Sequence, residues 1–201
     1  LRLVGSEMCI RDRDIPMLSN IPNLVYLAPT TKEEYIAMLD WSIEQNEHPV
    51  AIKLPGGAMV SGRPVTKNFG DLNKYEVTQK GSKVALLGLG TFYSLANAVA
   101  DEMKSELGID ATVINPYYIT GLDEELLESL KADHSVVVTI EDGILDGGFG
   151  EKIARFYGDS DMKVLNYGLK KEFLDRYDVE EVLKDNRLDA EMIAEDVKGL
   201  L

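Results

Sequence analysis

Apolar positions along the chain recur in two alternating rhythms, one of strand and one of helix period. Residues 24–27 form a short β-rich run ended by Ala28-Pro29, and Thr31-Lys32-Glu33-Glu34 follows with the spacing of a helix-capping box. A strand therefore feeds a helix. Ile36, Leu39 and Ile43 recur at i, i+3 and i+7, which predicts the buried stripe of that helix, and residues 46–49 end it before a second strand over 50–54. From residue 55 to 74 the rhythm stops, and Pro55, Gly56, Gly57, Gly62, Pro64 and Gly70 punctuate a stretch long enough to read as a linker or functional loop.

The pattern resumes with a nearly continuous apolar strand over 83–89, and Phe92, Leu95, Val99 and Met103 mark the buried stripe of the helix behind it. Strands follow over 111–114, 135–140 and 163–167. Between and after them lie helices over 123–130, with Leu126, Leu127 and Leu130 inward, over 151–157, and along the acidic tail 180–201. Strands apolar on both faces, alternating with helices, specify an α/β fold of three layers (α/β/α) around a mostly parallel sheet.

Residues 1–13 stand outside this pattern. Glu7 to Arg13 back-translates readily to a transposon end used in preparing sequencing libraries, so the segment is expected to be foreign to the fold. Its Cys9 then carries no redox meaning, and no other cysteine occurs.

Composition narrows the function classes. Lys and Arg total 21 against 35 Asp and Glu, a formal net charge of −14, which disfavours nucleic acid and anionic membrane surfaces as partners. With one cysteine and two histidines the sequence offers no zinc-ligand spacing, so no metal site is expected. No apolar run reaches the ~20 residues of a membrane span and no signal peptide is evident, so a cytoplasmic location is expected.

Few residues suggest chemistry. Gly88-Leu89-Gly90 lies where a phosphate-binding turn would, but Tyr93 occupies the third glycine position and Asp110 precedes its strand; close strand-to-helix packing is the better explanation. His48 and His134 read as solvated loop histidines, and Tyr117-Tyr118 as cover for a sheet edge. The most unusual pattern is Glu141-Asp142-Gly143, then Gly147-Gly148-Phe149-Gly150-Glu151: acids end a buried strand and glycines open a helix. Ligands of open α/β sheets gather at the carboxyl ends of strands, so Glu141, Asp142, Gly147, Gly148 and Gly150 are candidates for an interface, for packing or for ligand contact. Residue chemistry alone names no reaction.

The order of motifs says more. DIPMLSNIPNLVYLAPTTKEE, HPVAIKLPGG, SKVALLGLGTF, LDEELLESL, VVVTIEDGILDGGFGE and the closing NYGLKKEF with LDAEMIAEDV together resemble the C-terminal third of the 1-deoxy-D-xylulose-5-phosphate synthase family, thiamine-diphosphate enzymes related to transketolase. The last two elements are more similar to the synthases than to transketolase or the β subunit of 2-oxoacid dehydrogenases, which stay as alternatives. A non-catalytic module that dimerises or docks to partners is a further alternative. The resemblance implies that residues 14–54 end a pyrimidine-binding domain, 55–79 link, and 80–201 form a transketolase C-terminal domain with one antiparallel strand among five. It also implies a homodimeric parent in which thiamine diphosphate and magnesium act on pyruvate and an aldehyde. No catalytic, cofactor-binding or metal-binding residue of the family maps onto this chain, so the chain alone is expected to be inactive and free of cofactor.

The candidates the resemblance adds are Lys53 and Gly56, in a substrate loop. Here the sequence departs from the family: Leu54-Pro55-Gly56-Gly57 stands where Y-P-R-G is usual, so Gly56 replaces the arginine expected to grip a substrate phosphate. Tyr117-Tyr118-Ile119-Thr120-Gly121-Leu122-Asp123 likewise stands where R-F-[VI]-K-P-L-D is usual. The acceptor aldehyde is therefore open.

Overall fold

A computed structural model describes residues 13–54, 59–62, 65, 67–172 and 178–201. Residues 1–12, and with them Cys9, lie outside the described residues, as does Gly56.

Three turns of chain logic precede the main sheet. A short helix α1 (Asp14–Leu18) leads to β1 (Val25–Leu27), helix α2 (Lys32–Glu44) and β2 (Val50–Ile52), which pairs in parallel with β1 as a two-stranded sheet. Thr31 caps α2 as its spacing predicts, accepting the Glu34 N–H on its side chain at 3.3 Å. The buried face of α2 is not the predicted one. Met38 is fully buried with Ala37 and Trp41 packed beside it, whereas Ile36, Leu39 and Ile43 are 47%, 37% and 71% exposed. Apolar residues occur on both sides of this helix, and periodicity alone does not tell which side meets the sheet.

The main sheet has five strands in the order β3-β5-β4-β6-β7: β3 (Glu76–Gln79), β4 (Lys83–Gly88), β5 (Thr112–Asn115), β6 (His134–Ile144) and β7 (Lys163–Leu169). Only β3 runs antiparallel, against β5. The hydrophobic pattern gives no sign of β3, because its sequence Glu-Val-Thr-Gln is mostly polar and it lies at the sheet's edge. Strand β6 extends further than the pattern predicts, from His134 through the acids to Ile144.

Alternate residues of the central strands feed two cores. Val84, Leu86, Val136, Val138 and Ile140 pack with helix α3 (Tyr93–Leu107) and with α7 (Ala190–Lys198), the last helix, which follows α6 (Val179–Asp185). On the other face Ala85, Leu87 and Val137 meet α4 (Glu124–Leu130) and α5 (Phe149–Phe156). Ile15 of α1 and Tyr26 of β1 share this second core, so the N-terminal unit is packed into the sheet's own interior. The layers are α/β/α as the alternation requires.

Candidate functional site

The carboxyl ends of β1, β2, β4 and β6 converge where the small sheet meets the large one. Backbone joins them: Ala28 N–H donates to the Tyr117 carbonyl and Ile119 N–H to the Tyr26 carbonyl, each at 2.7 Å, around a bridge between Leu27 and Tyr118. At the junction lies a cavity of about 10 Å³ lined by residues that include Lys53, Asp142, Pro29 and Gly90. That is room for about one water molecule. Two sequence candidates, Lys53 and Asp142, are thus brought together although 88 positions separate them in the chain.

Lys53 is buried, and its Nζ contacts both carboxylate oxygens of Asp14 at 2.7 and 2.8 Å. Removing one partner of such a pair would leave a buried charge, which typically costs ~3–5 kcal/mol. The phenol of Tyr26 is held well above its ordinary value, first by burial and then by the Asp14 and Asp142 carboxylates. Lys53, Asp14, Tyr26 and Asp142 form one polar cluster that ties α1 to the ends of β2 and β6. Asp14 and Tyr26 carry no motif signal; only the fold brings them in.

The strand-end loop resolves into distinct roles. Glu141 is fully buried, and the N–H groups of Phe149 and Gly150 donate to its two carboxylate oxygens, both at 2.8 Å. It therefore caps the first turn of α5, where backbone donors otherwise lack partners. Burial pushes its carboxyl up to about 7, against those N–H donors and the Lys152 charge, which pull it down. A side chain at Gly148 would force a shift, because a Cβ there would stand 2.6 Å from Glu141 Oε2 and 2.8 Å from the Ile144 carbonyl oxygen. Gly147 turns with φ +72°, and its N–H donates to Glu151 Oε2 at 2.8 Å. Gly150 packs against Thr139 and Asn166.

Other sequence readings are corrected or sharpened. His134 is not a solvated loop histidine: it opens β6, is buried, and its Nε2 lies 2.8 Å from Thr112 Oγ1 while Nδ1 lies 2.6 Å from Asp133 Oδ1. The set resembles a nucleophile, base and acid, but it sits at the amino ends of the strands and lines none of the cavities described here. His48 does occupy a turn, with Nδ1 2.7 Å from Asn23 Oδ1. At Gly88 a Cβ would approach the Tyr93 Cα to 2.6 Å, so close packing accounts for that glycine.

Two further grooves open on this molecule. One of about 530 Å³ lies between the starts of α2 and α3, lined by residues including Thr31, Thr91, Ser94 and Asn97. The other, of about 370 Å³, runs beside α5, with Lys152, Arg155, Glu151 and Gly147 on its wall. Lys152 and Arg155 escape a motif reading because they carry no spacing signature beyond the polar face of an amphipathic helix.

A mostly parallel five-stranded sheet with a single antiparallel edge strand, covered on both faces, is the frame into which these junction residues fit. Residues 73–193 match the transketolase C-terminal domain family, and the chain belongs to that family. Among individual relatives, the 1-deoxy-D-xylulose-5-phosphate synthase of Clostridium tetani is 33% identical over 190 residues, covering 94% of this chain. That of Francisella philomiragia is 32% identical over 206 residues, covering 99%. The chain spans only 30% and 32% of the length of these two relatives. Among solved structures, a split-gene transketolase described as an inactive β4 tetramer superposes with a TM-score of 0.75 at 24% identity, over 94% of this chain and 60% of that one. A transketolase mutant from Pichia stipitis superposes with a TM-score of 0.69 at 18% identity, over 93% of this chain and 26% of that one. These two likenesses concern the fold.

Among the described residues no group of three His, Cys, Asp or Glu is placed to hold a metal ion, and the junction cavity is far too small for thiamine diphosphate. The residues lining that cavity do not fit the cofactor.

Proposed function

We propose that this chain is the C-terminal portion of a 1-deoxy-D-xylulose-5-phosphate synthase-like enzyme, which decarboxylates pyruvate and joins the remaining two-carbon unit to an aldehyde. The observation that carries the reading is the run of synthase relatives aligned along nine-tenths or more of the chain at about one-third identity. On this reading thiamine diphosphate and magnesium are held by parts of the parent outside the present residues, and the parent is a cytoplasmic homodimer making isoprenoid precursors. Its acidity supports a partner set without nucleic acid, and no helix among the described residues is long and apolar enough to cross a membrane. Residues 14–54 are proposed as the end of the pyrimidine-binding domain, 55–79 as its linker and 80–201 as the C-terminal domain, with residues 1–13 foreign to all three. Lys53 and Gly56 mark the substrate loop, where loss of the family arginine weakens the grip on a phosphorylated aldehyde.

A second reading rests on the likeness to the split-gene transketolase, described as an inactive β4 tetramer. By that analogy the chain would be a subunit completed by a second polypeptide. One experiment serves both. Residues 14–201 are grafted in place of the corresponding part of the Clostridium tetani synthase, or supplied in trans to the remainder of that enzyme. Carbon dioxide release from pyruvate is then followed with glyceraldehyde 3-phosphate and with unphosphorylated glyceraldehyde. Turnover by the graft alone supports the first reading, and turnover in trans the second. A graft that folds and binds thiamine diphosphate but releases no carbon dioxide with either aldehyde overturns the synthase assignment.

A further inference from the structure

The groove beside α5 holds a combination found nowhere else among the described residues. Lys152 and Arg155 lie one turn apart on the same helix face and both line the groove. Neither has a carboxylate within ion-pair distance among the described residues. Lys53, Lys74, Lys104, Lys131, Lys171 and Arg187 by contrast each pair with an Asp or Glu at 2.7–3.2 Å.

The Lys152 side chain is partly withdrawn from water. Its Nζ donates one hydrogen bond, to the Ile119 carbonyl at 3.1 Å, leaving two protons for other acceptors. Burial pulls its ammonium down to about 8, opposed by Glu141 behind it on β6 and reinforced by Arg155 on its own helix. A lysine so placed gains from any anion that enters. Across the groove stand Asn20 and Ser19, and the Ser19 hydroxyl is buried with no hydrogen-bond partner among the described residues. Glu151 also faces the groove, with one oxygen occupied by the Gly147 N–H.

From this arrangement we infer that the α5 groove is a binding site for a small phosphate-bearing anion, held by Lys152 as a point charge and by the guanidinium fork of Arg155. The size of the groove, about 370 Å³, falls at the lower end of small-ligand pockets. Glu151 and Asn20 offer an acceptor and an amide to hydroxyl groups on the remainder of the ligand, which favours a phosphate ester over a bare ion. The site shares no lining residue with the junction cavity and does not depend on the synthase reading.

The test uses the full chain and two probes, inorganic phosphate and glycerol 3-phosphate, with chemical shifts of the Gly147, Gly148 and Lys152 amides as the readout. Saturable shifts at these amides are expected from both probes, with glycerol 3-phosphate binding more tightly. Lys152→Met and Arg155→Gln should each weaken binding about tenfold, the size of one charge-assisted hydrogen bond. Lys104→Gln, which breaks the ion pair with Asp110, should leave it unchanged. Arg155 is exposed, so its variant keeps the fold even if Lys152→Met does not. Shifts that never saturate, or that persist undiminished in folded Arg155→Gln, would overturn the site. Equal affinity for the two probes would overturn the ester specificity.

Discussion

Glu141 shows how one buried carboxyl sets a pH response. In the folded chain burial lifts it to about 7 from an ordinary value of 4.5. Between those two values the folded state holds a proton that the unfolded state has released, so each rise in pH lowers stability. The contribution is fully present below about pH 4.5 and gone above about pH 7. Unfolding by urea at a series of pH values should therefore show stability falling from pH 5 to 7.5 more steeply in the native chain than in Glu141→Gln. The variant should also lose ~1–3 kcal/mol, because its amide group meets a backbone N–H where the carboxylate accepted one. Equal slopes in the two proteins would assign the titration to another group. The acid's importance was visible in the sequence as an anomaly at a strand end. Its task was not, since the donors at Phe149 and Gly150 reach it only when β6 turns back into α5. His134 illustrates the converse: flanked by Asp133 and a strand it reads as a turn residue, and only the assembled sheet, with β4 between β6 and β5, brings the Thr112 hydroxyl to within 2.8 Å of its ring.

Helix α2 is the element whose reading failed in part. Its cap was legible because Thr31 acts on residues three positions away, a purely local relation. Its orientation was not, because Ile36, Leu39 and Ile43 mark one apolar stripe and Ala37, Met38 and Trp41 another. The two-stranded sheet chooses the second, by packing Met38 with Val25 and Leu27. Two substitutions separate these faces. Ile43→Lys should change the unfolding free energy by no more than ~0.5 kcal/mol, as for an exposed site. Met38→Ala should cost ~2–5 kcal/mol by emptying a filled core position. A large loss from Ile43→Lys, measured by the same urea titration, would place the first stripe inside after all. Strands β4 and β5 and the central part of β6 were legible for the opposite reason: residues buried on both faces leave no choice of side.

At the scale of the whole molecule, the two sheets behave as one body because main-chain hydrogen bonds and a shared core cross between them. Ala28, Tyr26 and Leu27 dock against Tyr117, Tyr118 and Ile119, while Tyr118 donates its hydroxyl to the Phe69 carbonyl at 2.9 Å. Ile15 and Tyr26 are buried among residues of the large sheet. Such a seam is expected to hold whether or not the peptide chain is continuous around it. A protease site inserted beside the exposed Ser61, then cleaved, should leave two pieces that elute together and melt in a single transition whose midpoint rises with concentration. Separate elution would show that the connection, not the seam, keeps the halves together. If they stay together, the covalent link there is a convenience of synthesis, and a gene interrupted at that point would still yield the same folded body from two messages.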